Sequence, residues 1–334
     1  MRPSQLALLA AVANASTFGQ QRILAPAGPA AGSLATLGWF VLILSLVVMV
    51  VMWALIAMVL TRPRGSLAEH APADTGGGQK FVIFGGFLFP ALILASMYVY
   101  SLKSMSEFPL NRGMEMPAQL RVVGHQWWWE VQYRFGDLQG HFVSANEIHI
   151  PTGTAIDIDL DSEDVIHSFW VPALHGKVDM IPGNPNRIRV EASHPGIYRG
   201  QCAEYCGDEH AAMILLVVAQ DPADFQKWLE NARQPGVTPS TPDQIAGQQV
   251  FLSTACALCH TIDGTLAHGT VGPNLTHLAS RRMIASNWLE NNTANLEAWV
   301  THARSLKPSV LMPDMTVFTG DQARQLVAYL QSLK

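Results

Sequence analysis

Two short cysteine motifs carry the residues best suited to redox chemistry. The first, CAEYCGDEHAAM from Cys202 to Met213, places two thiols, an imidazole and a thioether within twelve residues. The second is CALCH, from Cys256 to His260. Soft sulfur ligands combined with imidazole favour copper, whereas C-x-x-C-H is the pattern for covalent attachment of a c-type haem. The sequence therefore predicts two redox sites in one chain.

The first motif has one cysteine more than a mononuclear electron-transfer copper site, which uses two histidines, one cysteine and a weakly bound methionine. Two thiolates at this spacing can bridge a pair of copper ions. A second histidine must then come from elsewhere, and His167 is the best candidate because it lies between two strand-like segments. A Cys202–Cys206 disulfide is the alternative, but it leaves His210 and Met213 without a role.

The second motif predicts haem c. Cys256 and Cys259 lie one helical turn apart and can reach both vinyl groups of one haem, while His260 ligates the iron. A redox dithiol and half of a zinc site are the alternatives, yet neither requires a histidine directly after the second cysteine. A methionine as sixth ligand raises the reduction potential. Met312, in a proline-containing loop, is the candidate, and Met315 is its rival.

Two uncharged runs must anchor these sites. Residues 37–60 and 81–102 each exceed the length needed to cross a bilayer as a helix. Arg62, Arg64 and Lys80 lie between them, which favours a cytoplasmic loop and places both chain ends outside. We therefore predict a transmembrane hairpin over residues 37–104. Two buried helices of a soluble protein are the alternative.

The N-terminal segment, residues 1–36, begins with features of a short signal peptide. Arg2 is followed by an apolar run from Leu6 to Ala13, and Ala13-Asn14-Ala15 is suited to cleavage. The sequence leaves open whether this segment is removed. The net charge of −5 argues against nucleic acid as a partner.

Residues 115–228 show short apolar runs with period-two alternation, separated by Gly- and Pro-rich turns, which predict a β-sandwich or barrel. The predicted strands are Gln119–Gly124, Glu147–Ile150, Ala155–Leu160, Asn186–Glu191 and Met213–Ala219. A Pro-rich linker spans residues 229–242. The last domain, residues 243–334, opens and closes with helical periodicity, at Gln244–Thr254 and Thr319–Leu333.

Three stretches of the middle domain resemble subunit II of haem–copper cytochrome c oxidases: GHQWWW from Gly124, Asp164–Pro172 and Gly200–Met213. The last domain resembles class I cytochromes c, so the whole chain is similar to a caa3-type subunit II. The resemblance implies a two-helix membrane hairpin, a cupredoxin-like β-sandwich holding the binuclear CuA centre, and an all-α cytochrome c domain. The CuA ligands that it implies are His167, Cys202, the backbone carbonyl of Glu204, Cys206, His210 and Met213.

The resemblance also implies roles for individual residues. The Glu204 side chain would share a magnesium ion with subunit I, and Trp127 would be the electron entry point to CuA. The proline carbonyl in Gly272–Leu275 would accept a hydrogen bond from His260. Gly247 and Phe251 would form the contact between the first and last helices, with Tyr329 as a partner. Acidic residues from Asp157 to Asp164 would help to dock a basic cytochrome.

The implied function is electron input to a terminal oxidase in the bacterial cytoplasmic membrane, with both metal domains on the outer side. Electrons would pass from haem c to CuA and then to subunit I, where oxygen is reduced. Subunit III and a donor such as a cytochrome c or a bc1-type complex are the other implied partners. An electron-input subunit of a nitric oxide reductase and a membrane-tethered electron carrier are the alternatives. Ile83 occupies a position where many relatives carry a glutamate tied to proton entry, so the oxidase subtype stays open.

Overall fold

The computed structural model describes residues 23–62, 75–107, 118–136 and 141–334. The predicted signal peptide and its cleavage site lie outside this range. The chain divides into a helical unit, Gly32–Pro109, and a second unit that contains the other described residues.

The helical unit contains two long apolar helical segments. Helix α1 is Pro29–Thr61, and the second segment consists of α2 (Thr75–Phe81), a π-helical turn (Val82–Leu88) and α3 (Phe89–Glu107). Two stretches, Pro29–Thr61 and Gly78–Lys103, are long and apolar enough to cross a membrane. Their large side chains are mostly exposed, which fits helices whose apolar surface is covered by lipid rather than by protein.

The π-helical turn has a local cause in Pro90. Proline cannot donate a backbone hydrogen bond, and its ring clashes with the carbonyl of the preceding turn. The backbone widens there, and the Phe89 N–H bonds to the Phe84 carbonyl, five residues back. Ile83 lies in this widened turn.

The middle domain is a β-sandwich of two five-stranded sheets. The first has the order β3-β2-β1-β5-β8 and the second the order β4-β10-β9-β6-β7. Neighbouring strands are antiparallel except for the parallel pairs β1–β5 and β4–β10. The strands are β1 Leu120–His125, β2 Trp128–Tyr133, β3 Phe142–Ala145, β4 Glu147–Pro151, β5 Ile156–Ser162, β6 His167–Trp170, β7 Val178–Met180, β8 Asn186–Val190, β9 Gly196–Cys202 and β10 Ile214–Gln220.

One apolar core lies between these sheets. Burial alternates along β2, so that Trp129, Val131 and Tyr133 point inward, as expected for strands with one face in the core. The five predicted strands are found within two residues of their predicted ends. Helix α4 (Pro222–Ala232) covers β4 and β10; its Phe225 and Leu229 join the core.

The last domain is helical. It contains α5 (Pro242–Ser253), α6 (Cys256–Cys259), α7 (Thr293–Thr301), α8 (Ala303–Leu306) and α9 (Gly320–Leu330), together with a short hairpin, β11 (Met283–Ile284) and β12 (Leu289–Glu290). Helices α5 and α9 both begin with a capping box, at Thr241 and Thr319. In a capping box, side chains bond the free N–H groups of the first turn.

Helices α5 and α9 pack closely at Gly247. A Cβ atom at this position would lie 2.0 Å from the carbonyl oxygen of Gln325. One turn further on, the ring of Phe251 packs edge-on against that of Tyr329, with centroids 6.1 Å apart. The predicted contact between the first and last helices is therefore confirmed.

The β-sandwich and the helical domain meet at the β11–β12 turn. Ala285, Ser286 and Asn287 all have positive φ angles, between 54° and 60°. The Asn287 amide donates to the carbonyls of Asn146 and Ile214, at 2.6 and 3.2 Å. The Pro-rich segment between the two domains is also bonded to the helical domain, through the N–H of Gly236 and the carbonyl of Asp263.

Candidate metal and haem sites

Strand pairing brings the two halves of the sulfur and imidazole cluster together. His167 begins β6 and Cys202 ends β9, and these strands pair antiparallel with Phe169 opposite Cys202. The loop after β9 then returns Cys206 to the same place. Ligating atoms of His167, Cys202 and Cys206 all lie within 4.8 Å of one another, and all three residues are buried.

The remaining predicted ligands complete this cluster. The Nδ1 atom of His210 is 3.6 Å from the Cys206 Sγ, and the Met213 Sδ is 3.9 Å from the same sulfur. The Glu204 carbonyl oxygen is 3.1 Å from the Cys202 Sγ. Two thiols, two imidazoles, a thioether and a carbonyl thus converge at one end of the sandwich.

The His167 ring is held in one orientation. Its Nε2 lies 2.8 Å from the Asp164 carboxylate, which can only accept, so Nε2 carries the proton. Nδ1 then keeps a free lone pair, and it faces the Cys202 sulfur at 3.8 Å. Gly124 packs against the ring, and a Cβ there would lie 2.7 Å from the His167 Cδ2. A carboxylate that orients a histidine in this way is typical of metal sites.

The two thiols have very different acidities. The Cys206 thiol donates a hydrogen bond that lowers the pKa of Cys202 to about 4. The neighbouring Cys202 thiolate and burial raise the pKa of Cys206. Two adjacent thiolates repel each other, so both ionise only with cations between them. Two soft thiolates flanked by imidazole and thioether therefore suit copper ions.

Trp127 lies directly against the cysteine loop. Its Nε1–H donates to the Cys206 carbonyl at 3.0 Å, and the Gln126 amide donates to the same oxygen at 2.8 Å. Gly207 has a φ of 116°, and a Cβ there would lie 2.9 Å from the Trp127 ring. Only glycine allows both this backbone conformation and this close approach.

The acidic run before His167 is largely neutralised within the sheet. Its aspartates pair with arginines of neighbouring strands: Asp157 with Arg189, Asp159 with Arg187 and Arg134, and Asp161 with Arg121. Asp164 is bonded to His167. The four aspartates therefore have partners within the domain, whereas Glu163 is exposed, and the docking role of this run stays a prediction.

The haem-type motif opens onto an apolar cleft of about 1370 Å³, a volume that includes the adjoining open solvent. Cys256, Cys259 and His260 line one side, and the loop containing Met312 and Met315 lines another. Apolar side chains of α7 and α9, including Leu296 and Leu326, also line it. An apolar cleft with two thiols, an imidazole and a thioether suits a covalently bound haem with His and Met ligands.

The His260 ring is also oriented by a hydrogen bond. Its Nδ1–H donates to the Pro273 carbonyl at 2.8 Å, as predicted, which leaves the Nε2 lone pair free. Gly272 packs against the ring, since a Cβ there would lie 2.6 Å from its Cε1. Burial lowers the pKa of His260, so the ring is neutral and ready to ligate a metal.

Residues of the β-sandwich also line this cleft. Gln126, Trp127 and Trp128 line it together with the cysteines of the haem-type motif. Trp127 is thus shared between the cleft and the sulfur cluster. The two predicted redox sites are adjacent, with one indole between them.

Residues 118–220 match the family model for the periplasmic domain of cytochrome c oxidase subunit II, and residues 244–334 match the cytochrome c model. The cytochrome c oxidase subunit 2 of Alkalihalophilus pseudofirmus is 33% identical over 302 residues, covering 88% of this chain and 86% of that protein. The chain belongs to the cytochrome c oxidase subunit 2 family. The homologue from Bacillus sp. (strain PS3) is 30% identical, covering 72% of this chain and 68% of that protein.

A solved structure of the periplasmic domain of subunit II from Bradyrhizobium japonicum is 31% identical, with a TM-score of 0.32, and covers 36% of this chain and 97% of that one. Membership of the subunit II family makes the chain part of an oxidoreductase complex, with subunit I as a partner. The two family matches imply copper and haem c. The two apolar helices and the periplasmic-domain match make this a membrane-anchored subunit.

Sequence reasoning did not assign several residues that position these sites. In the sequence Asp164 is one of several acidic residues before His167, and nothing there indicates that it orients the His167 ring. Gln126 belongs to the aromatic motif GHQWWW, and nothing in the sequence indicates that its side-chain amide bonds to the Cys206 carbonyl. Lys307 and Asn287 link the two domains, but a lysine before a proline and an asparagine in a turn normally indicate exposed loops.

Proposed function

We propose that this chain is the electron-input subunit of a terminal respiratory oxidase. Bound haem c and a binuclear CuA centre would supply one-electron carriers on the way to the haem of subunit I, where oxygen would be reduced to water. Cys256, Cys259, His260 and Met312 would hold haem c. His167, Cys202, the Glu204 carbonyl, Cys206, His210 and Met213 would hold CuA.

The position of Trp127 is the observation that carries this proposal. Its indole lines the haem cleft and donates to the carbonyl of Cys206 at 3.0 Å. A single side chain therefore contacts both the cleft and the loop of the copper ligands. This supports Trp127 as the electron entry point to CuA.

The protein residues prepare both sites for electron transfer. Asp164 and the Pro273 carbonyl each hold one histidine with its ligating nitrogen free. Bound copper and haem iron would supply one-electron redox chemistry. Because the ligands come from packed strands and hydrogen-bonded loops, they would move little between oxidation states, which keeps reorganisation small.

Glu204 is the proposed protein ligand of a magnesium ion shared with subunit I. Its side chain is half exposed, and Lys177 Nζ lies 3.6 Å from the carboxylate. Lys177 is also bonded to Asp179 at 2.9 Å. Magnesium binding would require this ammonium group to turn wholly towards Asp179, since both cations compete for one carboxylate.

The proposal places the chain in the bacterial cytoplasmic membrane. The helical hairpin, residues 37–104, anchors it, and the CuA domain (115–228), linker (229–242) and cytochrome domain (243–334) lie on the outer side. The match to the periplasmic domain of subunit II supports the placement of these domains on the outer side. Subunit III and a donor such as a cytochrome c or a bc1-type complex are the other proposed partners, and any proton translocation would be carried out by the partner subunits.

Oxygen uptake by the purified complex with a reduced cytochrome c tests the function. We expect cyanide-sensitive uptake together with the optical spectra of haem c and CuA. Uptake of nitric oxide without oxygen uptake would instead indicate a nitric oxide reductase. Purification of the chain with both spectra but without any haem–copper partner would favour a membrane-tethered carrier.

A further inference from the structure

Lys307 is buried between the two metal-binding domains. Its exposed fraction is only 1%, although lysine is almost never fully buried without a partner. The ammonium group donates to the carbonyl of Ala212 at 3.0 Å and to that of Ala285 at 3.4 Å. Ala212 belongs to the β-sandwich, whereas Ala285 and Lys307 belong to the helical domain.

The loops on either side of this ammonium group are those of the proposed metal ligands. Ala212 ends the short helical turn His210–Ala212 and is followed directly by Met213, so it lies between two proposed copper ligands. Lys307 begins the loop that ends at Met312, the proposed haem ligand. One hydrogen bond therefore connects the copper-ligand loop to the methionine loop.

The burial of this charge has a free-energy cost. Desolvation lowers the pKa of Lys307 to about 8, against an opposing contribution from nearby Glu209. An apolar side chain of similar length would fill the same space without that cost. What lysine adds is directional donation to two carbonyls on opposite sides of the domain boundary.

Other bonds across the boundary report on docking independently. The N–H of Ile214 donates to the Ser286 carbonyl at 3.3 Å, and the N–H of Arg282 donates to the Glu147 carboxylate at 3.2 Å. In each of these bonds the donor lies in one domain and the acceptor in the other: Ile214 and Glu147 belong to the β-sandwich, Arg282 and Ser286 to the helical domain. Their rates of hydrogen exchange therefore measure how often the two domains separate.

We propose that Lys307 is a positioning residue that ties the methionine loop of the cytochrome domain to the copper-ligand loop and thereby keeps the two domains docked. The connection between the two loops rests on the hydrogen bonds of Lys307 to the Ala212 and Ala285 carbonyls. Its consequence for electron transfer rests on the proposed function.

The test is Lys307→Met in the purified full chain with its copper and haem. Methionine keeps the length of the side chain and removes the charge and its donors. Exchange of the Ile214 and Arg282 amides should accelerate by about tenfold or more, because a charge-assisted bond is lost. Electron transfer from haem to copper after flash reduction should slow severalfold, while the spectrum of each centre is unchanged.

Lys227→Met is the matched control, because Lys227 is exposed and pairs with Asp224 within α4. It should leave exchange and transfer at the wild-type rates. If Lys307→Met does not bind haem, Lys307→Gln, which is shorter but keeps a donor, gives the same comparison.

An unchanged exchange rate of the Arg282 amide in Lys307→Met would overturn the proposal, since the effect of Lys307 would then be confined to its own loop. Faster exchange with an unchanged transfer rate would overturn the positioning role. Missing copper or haem spectra in the wild-type chain would defeat the proposed function instead, and amide exchange would still decide whether Lys307 holds the domains together.

Discussion

The indole Nε1–H of Trp127 donates a hydrogen bond to the backbone carbonyl of Cys206, and the same indole lines the cleft that contains His260. Trp127→Phe keeps an aromatic ring but removes this donor. We expect the copper and haem spectra to be retained, since the Gln126 amide still bonds the Cys206 carbonyl. Electron transfer from haem to copper, followed by flash photolysis, should slow severalfold.

Trp228→Phe is the control for Trp127, because Trp228 stacks on His149 in the sandwich and does not line the cleft. Its transfer rate should equal that of the wild type. Equal rates in the Trp127 and Trp228 variants would contradict an electron-entry role for Trp127.

The two methionines of the cleft are distinguishable by their spectra. Met312 packs against the core of the helical domain, and both Met312 and Met315 line the cleft. Met312→Ala should abolish the sulfur-to-iron charge-transfer band and lower the haem potential, because thioether ligation raises that potential. Met315→Ala should keep the band. The opposite result would assign the ligand to Met315.

Asp164→Asn tests how far orientation of His167 matters for metal binding. The substitution replaces the carboxylate that accepts from Nε2 at 2.8 Å. Loss of such a partner typically lowers metal affinity by roughly 10- to 100-fold, which competition with a copper chelator would measure. Asp159→Asn, which removes a carboxylate paired with Arg187 and Arg134, should leave the affinity unchanged. Equal affinities in both variants would refute the orienting role.

Gly247→Ala should separate helices α5 and α9, because the new Cβ would overlap the Gln325 carbonyl. Overpacking of this kind costs roughly 1–3 kcal/mol or more, which a denaturant titration of the cytochrome-domain absorbance would detect. Gly320 has open space around it. Gly320→Ala should therefore be neutral or slightly stabilising, and a similar loss in both variants would contradict the close contact at Gly247.

Glu147 makes docking of the two domains sensitive to acid. Burial raises the pKa of Glu147, but His149, the Arg282 N–H and the charge of Arg281 outweigh it and hold the pKa below its usual 4.5. A carboxyl group whose pKa is lower in the folded state stabilises that state at pH values above its unfolded pKa. This stabilisation is lost as the pH falls through the folded pKa. Tyr133, Asp263 and His277 are further titratable groups near this cluster.

We therefore expect docking, measured by exchange of the Ile214 amide, to weaken as the pH falls below 4.5. Glu147→Gln should remove most of this dependence and weaken docking at neutral pH. Glu230→Gln changes an exposed carboxylate of α4 and serves as the control. The same acid dependence in the wild type and in Glu147→Gln would show that another group is responsible.

Local patterns in the sequence were enough to predict the chemistry and many of the elements of this protein. The cysteine motifs, the two uncharged runs and the alternating strands are such patterns, and their physical causes act over a few residues. They predicted the β-sandwich, five of its ten strands to within two residues, the two apolar helices, and the first and last helices of the cytochrome domain. The ligand types followed from the softness of sulfur and imidazole, which needs no tertiary information.

Which side chains meet depends on the tertiary fold. Pairing of β6 with β9 places His167 beside Cys202, although 35 residues separate them. The ion pairs of the acidic run, the two contacts of Trp127 and the burial of Lys307 depend on packing between distant segments. Such contacts come from the burial of shared surfaces, and no local spacing encodes them.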